Sequence, residues 1–261
     1  MDLGLEGRLA LVTGASRGIG LAVARALRAE GVTVVGAARR GSAELDALVA
    51  AGGVHAVVAD LATATGPDDL VAAARAFGPI DILVNNAGAV TPRLAGFAAV
   101  TDEEWAATFA LTLMAAVRTT RAVLGDMVAA GRGAIVTTGS VNAFLPDPLV
   151  VDYGGAKAAL TNVMKALSKE VGPAGVRVNT VSPGPVSTAL WLGGGGVAER
   201  VAATAGGTPD EIERAAVSGT ATRRFTTPEE VADLVVFLCS DRVANLTGAD
   251  VVIDGGLIQT L

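Results

Sequence analysis

The chain has 261 residues, 51% of them hydrophobic but only 3% aromatic, which suits one large α/β domain with a core of Ala, Val and Leu. A net charge of −6, with acids and bases alternating and no basic face, argues against a nucleic-acid partner. One cysteine, Cys239, excludes an internal disulfide, and no run approaches the ~18 uninterrupted apolar residues of a membrane span, so the expectation is a soluble cytoplasmic protein.

In chain order, short β-branched apolar runs alternate with Ala-rich helical stretches. Leu9–Thr13, Val32–Ala37, Val54–Val58, Ile80–Val84, Ala134–Thr138, Val176–Val181 and Val251–Ile253 read as buried strands. Between them Gly18–Glu30, Ala43–Ala51, Asp68–Phe77, Asp102–Ala130, Tyr153–Val171 and Pro228–Cys239 read as helices, several ending at glycine (Gly31, Gly78, Gly172). Continuously apolar strands in alternation with helices predict a seven-stranded, doubly wound parallel sheet of Rossmann type with helices on both faces, in a single domain. From Ser187 to Thr220 the rhythm breaks, with a run of four glycines from Gly193 to Gly196 and no strand. Because this stretch follows a strand's carboxyl end, it reads as a helical lid inserted at 187–220, against the plainer reading of a surface excursion.

The first strand–helix junction reads Thr13-Gly14-Ala15-Ser16-Arg17-Gly18-Ile19-Gly20. Glycines there permit a tight turn and let backbone N–H groups approach a pyrophosphate at the helix N-terminus, so Gly14, Ser16, Arg17, Gly18, Ile19 and Gly20 are candidate dinucleotide contacts. The second strand ends Ala38-Arg39-Arg40 with no acid. NAD sites place an acid there for the ribose 2′-hydroxyl, whereas a 2′-phosphate calls for guanidinium, which binds it with two parallel hydrogen bonds. Arg39, with help from Arg17, therefore favours NADP(H) over NAD(H). At the end of the third strand, Asp60-Leu61 either meets the adenine or caps the next turn. At the end of the fourth, Asn85-Asn86-Ala87-Gly88 either lets the cofactor approach closely or braces the loop.

Tyr153 is the only tyrosine in the chain, and Lys157 lies four residues on. On a helix these positions share a face. A phenol with pKa near ~10 donates a proton readily at neutral pH, and an ammonium beside it favours phenolate, so the pair reads as a tuned general acid. Ser140, at the end of the fifth strand, is either a turn residue or a hydrogen-bond donor to substrate. A serine hydrolase lacks support: position 138 is Thr, so no Gly-x-Ser-x-Gly elbow surrounds Ser140, and the only histidine, His55, belongs to a different unit. No His/Cys cluster suggests a metal. The remaining rivals are a non-catalytic NADP-binding sensor or scaffold, and a related reaction such as epimerisation or dehydration.

Taken in this order and spacing, Thr13 to Gly20, Asp60, Asn85 to Gly88, Ser140, Tyr153, Lys157 and Pro183-Gly184 resemble the short-chain dehydrogenase/reductase family in its compact, 3-oxoacyl reductase-like form. The resemblance covers nearly the whole chain and implies a ketoreductase-type oxidoreductase acting on a CH–OH/C=O group. It implies Tyr153 as general acid or base, Lys157 as the group that lowers its pKa and binds the nicotinamide ribose, and Ser140 as the donor polarising the carbonyl. It implies Pro183, Gly184, Val186 and Thr188 at the nicotinamide end. It also implies a homotetramer, less often a dimer, packed through the helices from Asp102 and Tyr153 and through Leu257–Leu261. There is one departure. The family usually carries an asparagine seven positions beyond a tryptophan, where it helps hold a water that joins the lysine to solvent. Here the tryptophan is Trp105 and the seventh position is Thr112. Phe144, Leu145, Pro146, Pro148, Leu149 and Val150 after Ser140, with Leu190, Trp191 and Leu192 in the lid, read either as packing and subunit contacts or as a mainly apolar pocket, for which the expected substrate is a small, mainly apolar carbonyl compound or alcohol. A carrier-borne substrate would need a basic rim, for which Arg132, Lys165 and Lys169 are the candidates.

Overall fold

Short runs of β-branched and apolar residues set the middle of the molecule. In the computed structural model, which describes residues 2–260, β1 (Leu9–Thr13), β2 (Thr33–Ala38), β3 (Val54–Val58), β4 (Ile82–Asn85), β5 (Gly133–Thr138), β6 (Val176–Pro183) and β7 (Asp250–Ile253) form one sheet. Every pairing is parallel, in the order β3-β2-β1-β4-β5-β6-β7. Both faces are covered, as the continuous apolar runs require. On one side α1 (Gly18–Ala29) and α10 (Pro228–Cys239) pack on β1, β4 and β5 with Leu27, Val23 and Val235 fully buried. On the other, α3 (Gly66–Ala74), α5 (Ala115–Ala130) and α6 (Val151–Val171) bury Leu70, Met127 and Leu160. Strand order reverses between β1 and β4, which opens a crevice at their carboxyl ends.

Helix starts are chemically marked. Ser42 caps α2 (Ala43–Ala50) by accepting from Leu45 N–H at 3.1 Å. Thr101–Glu104, Thr208–Glu211 and Thr227–Glu230 form reciprocal capping boxes at α4 (Asp102–Phe109), α9 (Pro209–Ser218) and α10. Elements fall within a residue or two of the expected bounds, with two differences. The helix expected over Asp102–Ala130 is interrupted by a π-turn at Ala110–Met114, where one residue too many for α-helical spacing is absorbed. Thr112 lies within that turn, buried, with no protein partner for its hydroxyl among the described residues. Gly172 does not end α6 in a left-handed turn; the chain passes through a short 3-10 turn and Gly175, at φ +77°, takes that role.

The stretch 187–220 is helical, as expected, and carries α7 (Ala189–Leu192), α8 (Val197–Ala205) and α9. The run Asp102–Ala130 is the one helix in the described residues whose length and mean hydropathy, 1.2, match a membrane span. It packs on α3 and α6 as a layer of the sheet sandwich and carries Arg118 and Arg121, which marks it as a core-covering helix.

Candidate active site

The first glycine turn folds as its residues demand. Gly14 sits at φ +69°, a conformation side chains with a Cβ rarely adopt, and the turn after it delivers α1 with its N-terminus open. Gly14, Ser16, Arg17, Gly18 and Ile19 form one wall of a groove of about 300 Å³, and Arg39, Asp60 and Leu61 form its far end. Asn86, Ala87 and Gly88 close it from β4. Gly20 does not line the groove. It lies beneath, where an added Cβ would meet Gly14 O at 2.3 Å and Asn86 Nδ2 at 2.4 Å. Gly20→Ala should therefore cost about 1–3 kcal/mol of stability and weaken NADPH binding by tenfold or so, read by thermal melting and a fluorescence titration. Unchanged binding would mean the turn tolerates the extra carbon.

Asp60 and Asn86 each brace a loop and each line the groove. Asp60 Oδ1 accepts from Ala62 N–H at 3.0 Å, so it caps the turn while facing the groove. Asn86 Nδ2 donates to Thr13 O at 3.0 Å, and Asn86 Oδ1 accepts from the Thr138 hydroxyl at 3.2 Å. The amides of Asn86 and Ala87 both donate to Thr13 Oγ1. One asparagine thus ties the ends of β1, β4 and β5 together. The lining suits a dinucleotide phosphate in kind: small residues, the uncapped N-terminus of α1 and two arginines, Arg17 and Arg39.

Ser140, Tyr153 and Lys157 converge where this groove meets a second cavity of about 610 Å³. Tyr153 lines both, Ser140 the second and Lys157 the first. Ser140 Oγ donates to Asn142 Oδ1 at 3.1 Å and accepts from Asn142 N–H at 3.2 Å, which fixes the hydroxyl at the carboxyl end of β5. Tyr153 and Lys157 share a face of α6, with Nζ 5.6 Å from the phenol ring centre. Lys157 Nζ donates to Thr138 O at 2.5 Å and is otherwise enclosed. Burial lowers the lysine to about 8, because an ammonium loses hydration there. The same enclosure pushes the Tyr153 phenol up to about 12, with the Ser140 hydroxyl pulling the other way.

The larger cavity continues past Ser140 under α7, α8 and α9. Pro183, Gly184 and Val186 form its floor beside β6, and Thr188 borders both cavities. Of the apolar residues expected here, Leu145, Pro146, Pro148, Leu149, Val150, Leu190 and Trp191 line it, while Phe144 and Leu192 do not. Val197, Val201 and Ile212 from the lid helices complete the wall. Leu257 also lines this cavity; Leu261 lies outside the described residues.

Arg132, Lys165 and Lys169 do not rim the cavity. Arg132 precedes β5 and pairs with Asp81 at 3.0 Å, and Lys165 donates to Gly248 O at 2.6 Å, both at the amino ends of the strands. Sequence reasoning assigns no role to the Thr13 hydroxyl, which anchors the β4 loop, and does not single out the buried pair Arg93–Asp152. A polar residue ending an apolar strand was the available signal for Thr13; nothing in local spacing joins Arg93 to Asp152.

Comparisons with known proteins agree with this geometry. A family model described as enoyl-(acyl carrier protein) reductase matches residues 14–258. D-threitol dehydrogenase of Mycolicibacterium smegmatis is 38% identical over 266 residues, covering 98% of this chain and 94% of that protein. L-sorbose reductase from Gluconobacter frateurii, solved with NADPH and L-sorbose, superposes with a TM-score of 0.91 at 36% identity over the full length of both chains. A 3-oxoacyl (acyl-carrier-protein) reductase from Agrobacterium tumefaciens C58 with NADP bound superposes at 0.85 with 32% identity, covering 98% of this chain and 96% of the other.

Proposed function

Because the chain belongs to the short-chain dehydrogenase/reductase family, and is thereby an NAD(P)-dependent oxidoreductase acting on a CH–OH/C=O group, we propose that it is an NADP(H)-dependent reductase of mainly apolar carbonyl compounds with Tyr153 as its general acid. The observation that carries this reading is the place of Tyr153, on the boundary between the dinucleotide groove and the apolar cavity.

When bound, NADP(H) supplies or takes up the hydride. The protein's own groups handle the proton. Ser140 Oγ, placed by the Asn142 N–H that it accepts, turns its single proton from Asn142 Oδ1 to the substrate oxygen, which polarises the carbonyl. Tyr153 gives its phenolic proton to that oxygen as the alcohol forms, and takes it back in oxidation. The Lys157 ammonium, charged below about pH 8, stabilises the phenolate left behind and holds the nicotinamide ribose. The stretch 187–220 acts as a lid that keeps water from this step.

Two finer features follow from composition around the site. Arg39 stands exposed at the groove's far end, with no acid beside it on β2. Its guanidinium is suited to a 2′-phosphate, a contact worth about 1.5–3 kcal/mol. Arg39→Ala should weaken NADPH about 10–100-fold and NADH little; equal losses would remove the 2′-phosphate contact from the reading. The substrate cavity has a single formal charge, Asp147, and that carboxylate already accepts from Leu149 N–H at 2.9 Å. A polyol would leave several hydroxyls without partners there, each costing about 1–3 kcal/mol. The test is nicotinamide absorbance with NADPH or NADH and a panel running from α-tetralone to L-sorbose. Preference for the bicyclic ketone by tenfold or more is expected, and preference for the ketose would overturn the apolar assignment.

A further inference from the structure

The loop after β4 and the first turn of α6 are joined by an ion pair that the proton scheme does not use. The Arg93 side chain is 8% exposed and that of Asp152 2%. Arg93 directs two nitrogens at one carboxylate oxygen, Asp152 Oδ2, with Nε at 3.1 Å. Its remaining nitrogen donates to Glu104 Oε1 at 2.6 Å, and the Thr108 hydroxyl donates to the same Asp152 oxygen at 2.7 Å. The backbone of Arg93 is engaged too, its N–H donating to Leu149 O at 2.7 Å. One residue thereby ties together three elements: its own loop, α4 through Glu104 and Thr108, and the segment from Leu149 into α6.

Sequence neighbours give the pairing its meaning. Pro92, before Arg93, and Leu149 both line the apolar cavity. Asp152 is followed directly by Tyr153. Among the described residues Asp152 Oδ1 is buried without a side-chain partner, and the side chains that bond this carboxylate all do so through Oδ2. Energetically the pair is a poor way to stabilise a fold, since two buried charges lose hydration that their attraction barely returns, and apolar replacements of similar volume are often neutral or better. What a guanidinium fork does provide is direction: it binds one carboxylate in one orientation, as a lysine cannot.

We propose that Arg93 is a positioning residue, which through Asp152 and Leu149 holds the Tyr153 turn of α6 and the Pro92–Leu149 wall of the cavity in register with each other. The proposal rests on Tyr153 being the general acid. A displacement of ~1 Å at such a group costs about 100-fold in rate.

Arg93→Lys, Arg93→Met and the double variant Arg93→Met/Asp152→Leu separate this role from a structural one. Each is assayed with NADPH and an apolar ketone that the wild type reduces, α-tetralone first, together with NADPH affinity by fluorescence and thermal melting. The double variant should melt at or above the wild-type temperature and hold NADPH within about twofold, yet lose kcat about 10–100-fold. Arg93→Lys, which keeps the charge without the fork, should fold normally and lose kcat about tenfold. Wild-type kcat in the folded double variant would show that the pair merely balances charge, and would overturn the proposal. Should that variant fail to fold, Arg93→Lys decides alone, wild-type kcat again overturning it. Tyr153→Phe run in parallel keeps the two readings apart: an active Tyr153→Phe removes the general acid and the clamp with it, whereas an inactive one beside unimpaired Arg93 variants removes only the clamp.

Discussion

Tyr153→Phe should cut turnover by about 10²–10⁴-fold while leaving NADPH affinity within about twofold of wild type. The ring fills the same space on α6, so the boundary between groove and cavity keeps its shape, and only the proton donor is lost. Ser140 cannot replace it, because an aliphatic hydroxyl is a far weaker acid than a phenol and, with the tyrosine gone, no titrating side chain stands beside it to reprotonate it. Steady-state assays with NADPH, paired with fluorescence titration of the cofactor, measure both quantities. A variant with wild-type turnover would mean that the proton comes from elsewhere. Because Tyr153 is the only tyrosine, the phenolate absorbance of the wild type also reports its ionisation directly. Without cofactor that transition belongs near 12, the value that enclosure imposes, and a cation brought beside the ring should lower it.

Lys157→Met should separate stability from catalysis in a single substitution. Burial drops the lysine from 10.5 to about 8. In the unfolded chain it keeps its usual value, so between about pH 8 and 10.5 the unfolded state holds a proton that the folded state has lost, and stability rises with pH across that window. At pH 7 the folded protein carries the full cost of an enclosed ammonium, about 3 kcal/mol. Methionine removes that cost but leaves the Thr138 carbonyl without its donor, a loss of about 1–2 kcal/mol. The variant should therefore be more stable than wild type by about 1–2 kcal/mol at neutral pH, with turnover lowered 100-fold or more. Denaturant melts at pH 7 and pH 10 test the sign: the advantage of methionine should shrink at the higher pH. Reduction by the wild type should also fall as pH passes about 8, when the ammonium beside the phenol discharges. A variant less stable at neutral pH would show that Thr138 and its surroundings depend on the lysine.

Much of this architecture was readable because its signals are local. Apolar β-branched runs, glycines at the first turn and Ala-rich stretches of helical period each specify a strand, a turn or a helix from a few neighbouring residues, and the sheet follows from their alternation. The spacing Ser140, Tyr153, Lys157 was legible for the same reason, since two of the three lie on one helix. What escaped were features set by distant packing. The π-turn at Ala110–Met114 has no propensity signature, since alanine and leucine favour the ordinary helix that was expected. The Arg93–Asp152 pair joins residues 59 positions apart and forms only when the β4 loop folds back on α6. The three cations proposed as a rim failed because their distance from Ser140 along the chain says nothing about which end of a strand they occupy.

The two outermost strands bear on how the protein keeps to itself in a crowded solution. A parallel sheet ends on both sides in a row of unpaired amides and carbonyls, a template on which another chain can add. β7, at one margin, is four residues long, begins at Asp250 and is followed at once by Asp254, so an incoming strand meets carboxylates at both ends. β3, at the other margin, is followed by Asp60 and flanked by Phe77, whose ring stacks on His55 of the strand at 4.0 Å between centroids. Brevity and charge at one margin, and an acid with an aromatic stack at the other, are the kinds of device that discourage the addition of a foreign strand.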